Sequence, residues 1–173
     1  MKEIRGLSNK VLEVDLNSNT WKTVLVSEED TRNYLGGKGM VIRLLYNRLK
    51  PGVDPLGEEN IIAFHTGAFM GTGAPCSARF SAGAKSPQTG IIATSSCGGP
   101  FGMALKTSGW DGLILRGRSD KPTWLKIDSN GVEFNSARDL RGMTTSEVQD
   151  HLGSHGTGMI AIGPAGEKMV RIA

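Results

Sequence analysis

The sequence predicts an α+β fold of mixed and antiparallel β-sheets with a few short helices, arranged as an internal duplication. Three observations point there. The segments 10-KVLEVDLNSNTWKTVLV-26 and 123-TWLKIDSNGVEF-134 each alternate, turn on asparagine-containing residues and alternate again, the pattern of a β-hairpin. Strand-like runs outnumber helical ones, and their connections are hairpin-like rather than the long crossovers of a wound parallel sheet. Two helices open on paired glycines, 36-GGKGMVIRLL-45 and 98-GGPFGMALKT-107, each preceded by a strand pair and followed by one more strand.

The elements follow in order. After the first hairpin, which turns at Asn17-Ser18-Asn19, Ser27 begins the run SEED. A serine cap with Asp30 at the third position has the spacing of a capping box and predicts a short helix to Tyr34. The glycines of 36-GGKG-39 interrupt, and residues 40–49 then place Val41, Leu44, Leu45 and Leu49 on one helical face. Pro51, Gly52 and Pro55 stop that helix.

The apolar run 61-IIAFHTG-67 predicts a buried strand. Strands at 79-RFSAGAK-85 and 91-IIATSS-96 flank the turn 86-SPQTG-90, which has proline at its second position. A helix entered through Gly98 and Gly99 comes next, then the strand 112-GLILRG-117. The second hairpin turns at Ser129-Asn130-Gly131, where Asn-Gly is the strongest short hairpin signal. Thr144 or Thr145 caps a helix through Leu152. The runs 159-MIAIG-163 and 169-MVRIA-173 predict two further strands around the turn 164-PAGE-167. No linker interrupts the chain, so residues 1–173 are expected to form one domain. A final strand without a polar tail predicts a piece of a longer protein.

Composition narrows the function. The chain has 24 glycines in 173 residues, about twice the usual share, without a collagen period or linker composition. They sit beside hydrophobic runs, where glycine serves turns and close backbone approach. The net charge of +3 mixes 20 bases with 17 acids, and aromatic residues make up 6%. A nucleic-acid module concentrates its bases and interleaves aromatics, so nucleic acid is not an expected partner. The polar start MKEIRGLSNKVLEVDL has no signal-peptide core, and no apolar run is long enough to span a bilayer. Together with two cysteines, this predicts a cytoplasmic chain with free thiols.

Among candidate sites, 36-GGKG-39 lacks the GxxxxGK(S/T) spacing of a phosphate loop and reads as a helix entry where backbones pack closely. Gly98 and Gly99 lie where a strand ending in Thr94-Ser95-Ser96 meets a helix start. Free amides and the helix dipole collect at such a junction, so it serves either as a turn or as a seat for an anion or polar heterocycle. Arg79 is a single charge among small residues, either an exposed strand-end arginine or a planar donor to phosphate. Cys76 and Cys97 are too few for an iron–sulfur cluster and fit no zinc spacing. As small buried hydrophobes they carry no catalytic role. His151 and His155 stand four apart, but Gly153 breaks the helix between them and no further ligand is at hand.

Taken together, 35-LGGKGMVIRLL-45, 51-PGVDPLGEEN-60, 66-TGAFMGTGAPCSAR-79, 85-KSPQTG-90, 98-GGPFGMALKTSGWDGLILRG-117 and 161-AIGPAGE-167 resemble the N-terminal domain of the aldehyde:ferredoxin oxidoreductase family. The resemblance covers nearly the whole chain in order. It implies a base of β-sheets under a tungsten- or molybdenum-bis-pyranopterin that oxidises aldehydes to carboxylic acids. It further implies that electrons leave through a 4Fe–4S cluster, ligated by residues outside this chain, to ferredoxin. By position in the family's motifs, the cofactor-binding residues are Arg79, which closes 71-GTGAPCSAR-79, and Ser96 and Gly98. Ser96 departs from the asparagine of the best-known members. The resemblance places no catalytic or metal-ligating residue in this chain. The other C-terminal domains are its expected partners, and an exposed half-clamp predicts homodimerisation or poor solubility. A stand-alone pterin-binding or assembly module that docks with a separate catalytic subunit is the alternative.

Overall fold

The computed structural model describes residues 6–154 and 156–172. A six-stranded mixed sheet is its centre. The strands are β1 (Lys10–Asp15), β2 (Thr20–Leu25), β3 (Ile61–Thr66), β4 (Phe80–Lys85), β5 (Ile92–Cys97) and β6 (Gly112–Arg116), in the spatial order β2-β1-β6-β3-β4-β5. β1 runs parallel to β6 and every other pairing is antiparallel. A second, two-stranded sheet pairs β7 (Thr123–Asp128) with β8 (Gly131–Ser136). The expected α+β class, with a mixed sheet and short helices, is the observed one. The spatial order is palindromic when the two halves are exchanged, although β1–β6 is parallel where β3–β4 is antiparallel.

Both faces of the sheet's central strands are covered, and β1 shows why. In β1, Val11 joins one apolar cluster and Leu12 and Val14 the other, so successive side chains feed opposite layers. The first layer is α1 (Glu28–Tyr34) and α2 (Gly37–Arg48), with Met40, Val41, Leu44 and Leu45 packed against Val11, Ile61, Ala63 and Ile114. The second layer is α3 (Pro100–Thr107) and the β7–β8 hairpin, around Phe64, Met70, Phe80, Leu105, Trp110 and Leu113. Glu13 lies on the α2 side and is nearly buried, with Lys22, Arg48 and Arg116 all within 3.5 Å of its carboxylate.

Local signals are realised with small shifts. Ser27 caps α1 by accepting the Asp30 amide at 3.0 Å, while the Asp30 carboxylate turns instead to Arg43 at 2.9 Å. α2 begins inside the GGKG run, at Gly37, because Gly36 takes φ 121 and ψ −170, a conformation open only to glycine. Gly99, the cap of α3, takes the similar φ 92 and ψ 177. Thr144 and Glu147 complete a reciprocal capping box at the start of α4 (Thr145–Leu152).

The predicted strands at 159–163 and 169–173 are not formed. Residues 159–163 are irregular, Pro164–Glu167 is a single helical turn (α5), and 169–172 turn without pairing; Ala173 lies outside the described residues. A strand exists only as part of a ladder, and no described strand offers these residues a partner. Alternation alone could not reveal that.

Candidate functional site

One end of the sheet gathers the glycine-rich segments. Thr66, Phe80 and Cys97 are register partners across β3, β4 and β5. The next residue beyond each is Gly67, Arg79 and Gly98 respectively, so these three form a row along the sheet's rim. All three predicted residues lie here: Arg79 and Gly98 in that row, and Ser96 two positions inside it. Arg79, Ser96 and Gly98 are exposed. Ser96 Oγ is 3.4 Å from Ser81 Oγ. The α2 entry faces the same place, since a Cβ added at Gly37 would lie 3.8 Å from Ser81 Oγ.

The glycines divide by what the fold demands of them. Gly36 has no room for a side chain, because its Cβ would sit 2.7 Å from the Thr66 carbonyl oxygen. Gly102 is pressed by Met70 and Phe80, each 3.0 Å from a Cβ there, which anchors the 67–79 loop to α3. Gly67 and Gly98 differ from these. Neither takes a positive φ, and a Cβ on either would meet nothing within 4 Å among the described residues. They are the only two of the 24 glycines with both properties. Nothing inside the fold accounts for glycine at either position, and both stand in the rim row.

Charge and backbone polarity agree at this end. Residues 60–110, which supply the loop, β4, β5 and α3, contain no Asp or Glu, although the chain has 17. The helices α2 and α3 have no side-chain cap and no acid in the first turn, so their entry amides are not neutralised by the protein's own carboxylates. Among the described residues Arg79 forms no ion pair. The rim is thus open, electropositive and lined with bare backbone, which suits a large anionic group that must approach peptide amides closely.

Under the rim lies a buried polar network. His65 is 2% exposed, and its Nδ1 donates to the Thr66 carbonyl at 2.8 Å, which fixes the proton on Nδ1 because a carbonyl only accepts. Thr66 in turn donates its amide and hydroxyl to the Asp111 carbonyl at 2.8 and 2.9 Å. The Asp111 carboxylate accepts from the Asn9 amide at 2.6 Å and pairs with Lys106 of α3. Burial holds the His65 imidazole below the usual histidine pKa; its Thr66 contact and Asp111 pull upward, and Lys106 adds to the depression. The sequence put His65 inside the buried-strand run 61–67 without pointing to this network. Sequence reading also missed Gly67: a glycine directly after a buried strand was visible, but its place in line with Arg79 appears only from the strand register.

The cysteines depart from expectation. Both are exposed rather than buried: Cys97 is the last residue of β5, its thiol donating to the Gly98 carbonyl at 3.3 Å, and Cys76 sits in the 67–79 loop at φ 57. Both are free, because the loop and the strand end give them surface positions in place of a core. His151 lies in α4, and His155 lies outside the described residues. Among the described residues no three His, Cys, Asp or Glu side chains converge on a point, and no helix is long and apolar enough to cross a membrane.

Comparison with known proteins gives the family. The family profile described as "Aldehyde ferredoxin oxidoreductase, N-terminal domain" matches residues 11–173. A tungsten-containing aldehyde ferredoxin oxidoreductase of Thermococcus kodakarensis is 38% identical over 97% of this chain, which spans 28% of that protein. The WOR-like subunit of an aliphatic sulfonate oxidoreductase of Pyrococcus furiosus is 32% identical over 96% of the chain and 29% of its own length. Among solved structures, the active site complex BamBC of benzoyl coenzyme A reductase, in complex with 1,5-dienoyl-CoA, superposes with a TM-score of 0.89. It is 35% identical and matches 94% of this chain and 26% of that one. The chain therefore spans a little over a quarter of each relative.

Proposed function

The chain belongs to the aldehyde ferredoxin oxidoreductase family, and from that premise we propose that it is the cofactor-binding N-terminal domain of a tungsten-pterin oxidoreductase. The observation that carries the reading is the rim row Gly67–Arg79–Gly98, where, among the described residues, nothing crowds either glycine and the Arg79 guanidinium between them forms no ion pair. These residues fit a bis-pyranopterin. Gly98 and Gly67 leave backbone accessible where a Cβ would project into open space, Ser96 offers a hydroxyl, and Arg79 offers planar charged donors.

When bound, the metal centre would supply the two-electron oxidation of an aldehyde to a carboxylic acid. This chain's residues grip, orient and polarise. Arg79 would neutralise anionic charge on the cofactor, and its positive field would raise the reduction potential of a 4Fe–4S cluster held by ligands from the rest of the protein. Ferredoxin is the electron acceptor in this reading. The neutral His65 and the Lys106–Asp111 pair hold the rim's backbone without adding net charge. Relatives named for aldehydes, aliphatic sulfonates and benzoyl coenzyme A share this domain, so the substrate is chosen elsewhere in the protein. The stand-alone module is less favoured, because each of these relatives carries the domain within a much longer chain.

The test is the metal and pterin content of the longer polypeptide encoded with this sequence, with aldehyde-dependent reduction of a viologen dye. Tungsten with pterin and turnover are expected there, and no turnover from residues 1–173 alone. A longer polypeptide purified from tungsten-replete cells without metal or pterin would overturn the reading.

A further inference from the structure

Ser81 and Ser96 are register partners across β4 and β5, on the face of the sheet that α2 covers. The face is fixed by Gly83, two residues from Ser81, where a Cβ would lie 2.6 Å from Val41 Cγ1 of α2. Ser81 is buried, at 6% exposure, and Ser96 is exposed, so the pair runs from the core to the open rim. Their hydroxyl oxygens are 3.4 Å apart, and among the described residues the Ser81 hydroxyl has no other partner. Packing does not ask for a hydroxyl here. The neighbouring strand presents Ile61 and Ala63 to the same layer, against Val41 and Leu44. A hydroxyl taken out of water for one long hydrogen bond gives the fold little.

The α2 entry supplies the polarity. A Cβ added at Gly37 would lie 3.8 Å from Ser81 Oγ, and α2 starts with no side-chain cap and no acid in its first turn. The positive end of a helix favours oxygen lone pairs facing it, so the Ser81 proton turns away, and the acceptor available to it is Ser96 Oγ. Ser96, accepting from within, then turns its own proton outward over the rim. We propose that Ser81 is a positioning residue that transmits the polarity of the α2 entry to Ser96 and makes the Ser96 hydroxyl a hydrogen-bond donor to an anionic oxygen of the cofactor. The inference rests on the reading above that the rim holds a pterin cofactor. Donation along such a row strengthens each successive bond. Ser96 thereby joins the Arg79 guanidinium as a donor at an edge where residues 60–110 carry no carboxylate.

Loss of pterin from the longer polypeptide during dialysis, followed by the fluorescence of the oxidised pterin, tests this. Ser81→Ala and Ser96→Ala should each speed the loss about fivefold. The double variant should lose pterin no faster than Ser96→Ala alone, because the two hydroxyls act as one unit. Ser81→Thr keeps a hydroxyl and should hold the rate at the parent's. The urea midpoint of the cofactor-free polypeptide should be the same for Ser81→Ala and the parent, whereas a merely structural serine would move it. Ser96→Asp, which accepts and does not donate, should lose pterin faster than Ser96→Ala. The inference is overturned by parent-like loss from Ser81→Ala, by additive effects in the double variant or by no rescue with threonine. A lowered midpoint for Ser81→Ala, or parent-like retention by Ser96→Asp, overturns it equally. A parent polypeptide that carries no pterin overturns both this inference and the functional reading, whereas a loaded parent indifferent to Ser81 removes this inference alone.

Discussion

Phe80 and Cys97 are the terminal register partners of β4 and β5, and this pairing sets Arg79 and Gly98 side by side at the sheet's rim. The two residues are separated by most of a hairpin in sequence. Their adjacency follows from the turn at 86–90, where the Ser86 amide donates to Ile91 and the Gly90 amide to Ser86, both at 2.8 Å. A shift of β5 by one residue in that register would turn Ser96 to the face opposite Ser81 and take Gly98 out of line with Arg79.

Substitution of the rim glycines should separate binding from stability. Gly67→Ala and Gly98→Ala place a methyl in open space at ordinary φ, so the folded chain should lose no more than about 0.5 kcal/mol. Cofactor content of the longer polypeptide should nonetheless fall, because the methyl occupies the approach to the amides. Gly36→Ala is the contrast: its φ of 121 and the Thr66 carbonyl predict a cost of about 1–3 kcal/mol whatever binds. Urea melts of the short chain and tungsten analysis of the longer one read the two effects apart.

Arg79→Lys keeps the charge and loses the planar fork, whereas Arg79→Gln loses the charge. If Arg79 lies against cofactor and cluster, both variants should retain less pterin. Only Arg79→Gln should also lower the cluster's reduction potential, since the reduced, more negative cluster loses a nearby cation. Potentiometric titration monitored by electron paramagnetic resonance checks this. Equal potentials in the two variants would place the guanidinium away from the cluster.

The buried His65 gives a pH dependence whose sign is fixed. Its folded pKa lies below the ordinary histidine value, so between the two values the unfolded chain holds more protons and stability rises with pH. From the other side, stability falls as pH drops through about 6.5 and levels off below the folded pKa, with a slope of at most about 1.4 kcal/mol per pH unit. The charged groups facing the ring are Asp111 and Lys106, which are themselves paired. His65→Asn keeps a donor toward the Thr66 carbonyl and removes the titration. Its stability profile between pH 5 and 7 should be flatter than the parent's by that slope, as read by urea denaturation at each pH.

Most of the fold was legible because its signals are local. The alternation of 10–26, the Asn-Gly turn and the Thr144 cap each specify an element within a few residues. The helix start at Gly37 was harder, since only the backbone of Gly36 against Thr66 explains it. At the rim, Arg79, Ser96 and Gly98 came from motif resemblance, whereas Gly67 required the register of three strands before its openness meant anything. The final two strands were misread for a physical reason. Ile160 and Ile162 alternate as strand residues do, but pairing is a property of two segments, and only one is here.

A pair of tryptophans links the β7–β8 hairpin to the main sheet. Trp21 of β2 meets Trp110 edge-on at 6.2 Å, and Trp110 Nε1 donates to the Asp128 carbonyl at 2.9 Å. Gly131, at the start of β8, lies so close that its Cβ would fall 2.0 Å from the Trp21 ring, and its φ is 131. Gly131→Ala must therefore either distort the turn or push Trp21 out of the aromatic pair, and both loosen the cover over Leu125, Ile127, Val132 and Phe134. The expected result is a red-shifted tryptophan emission and about 1–3 kcal/mol of lost stability. Trp21→Ala combined with Gly131→Ala removes the clash while keeping the strained φ. A double variant no less stable than Trp21→Ala alone would show that the ring, and not the backbone conformation, is what demands glycine at position 131.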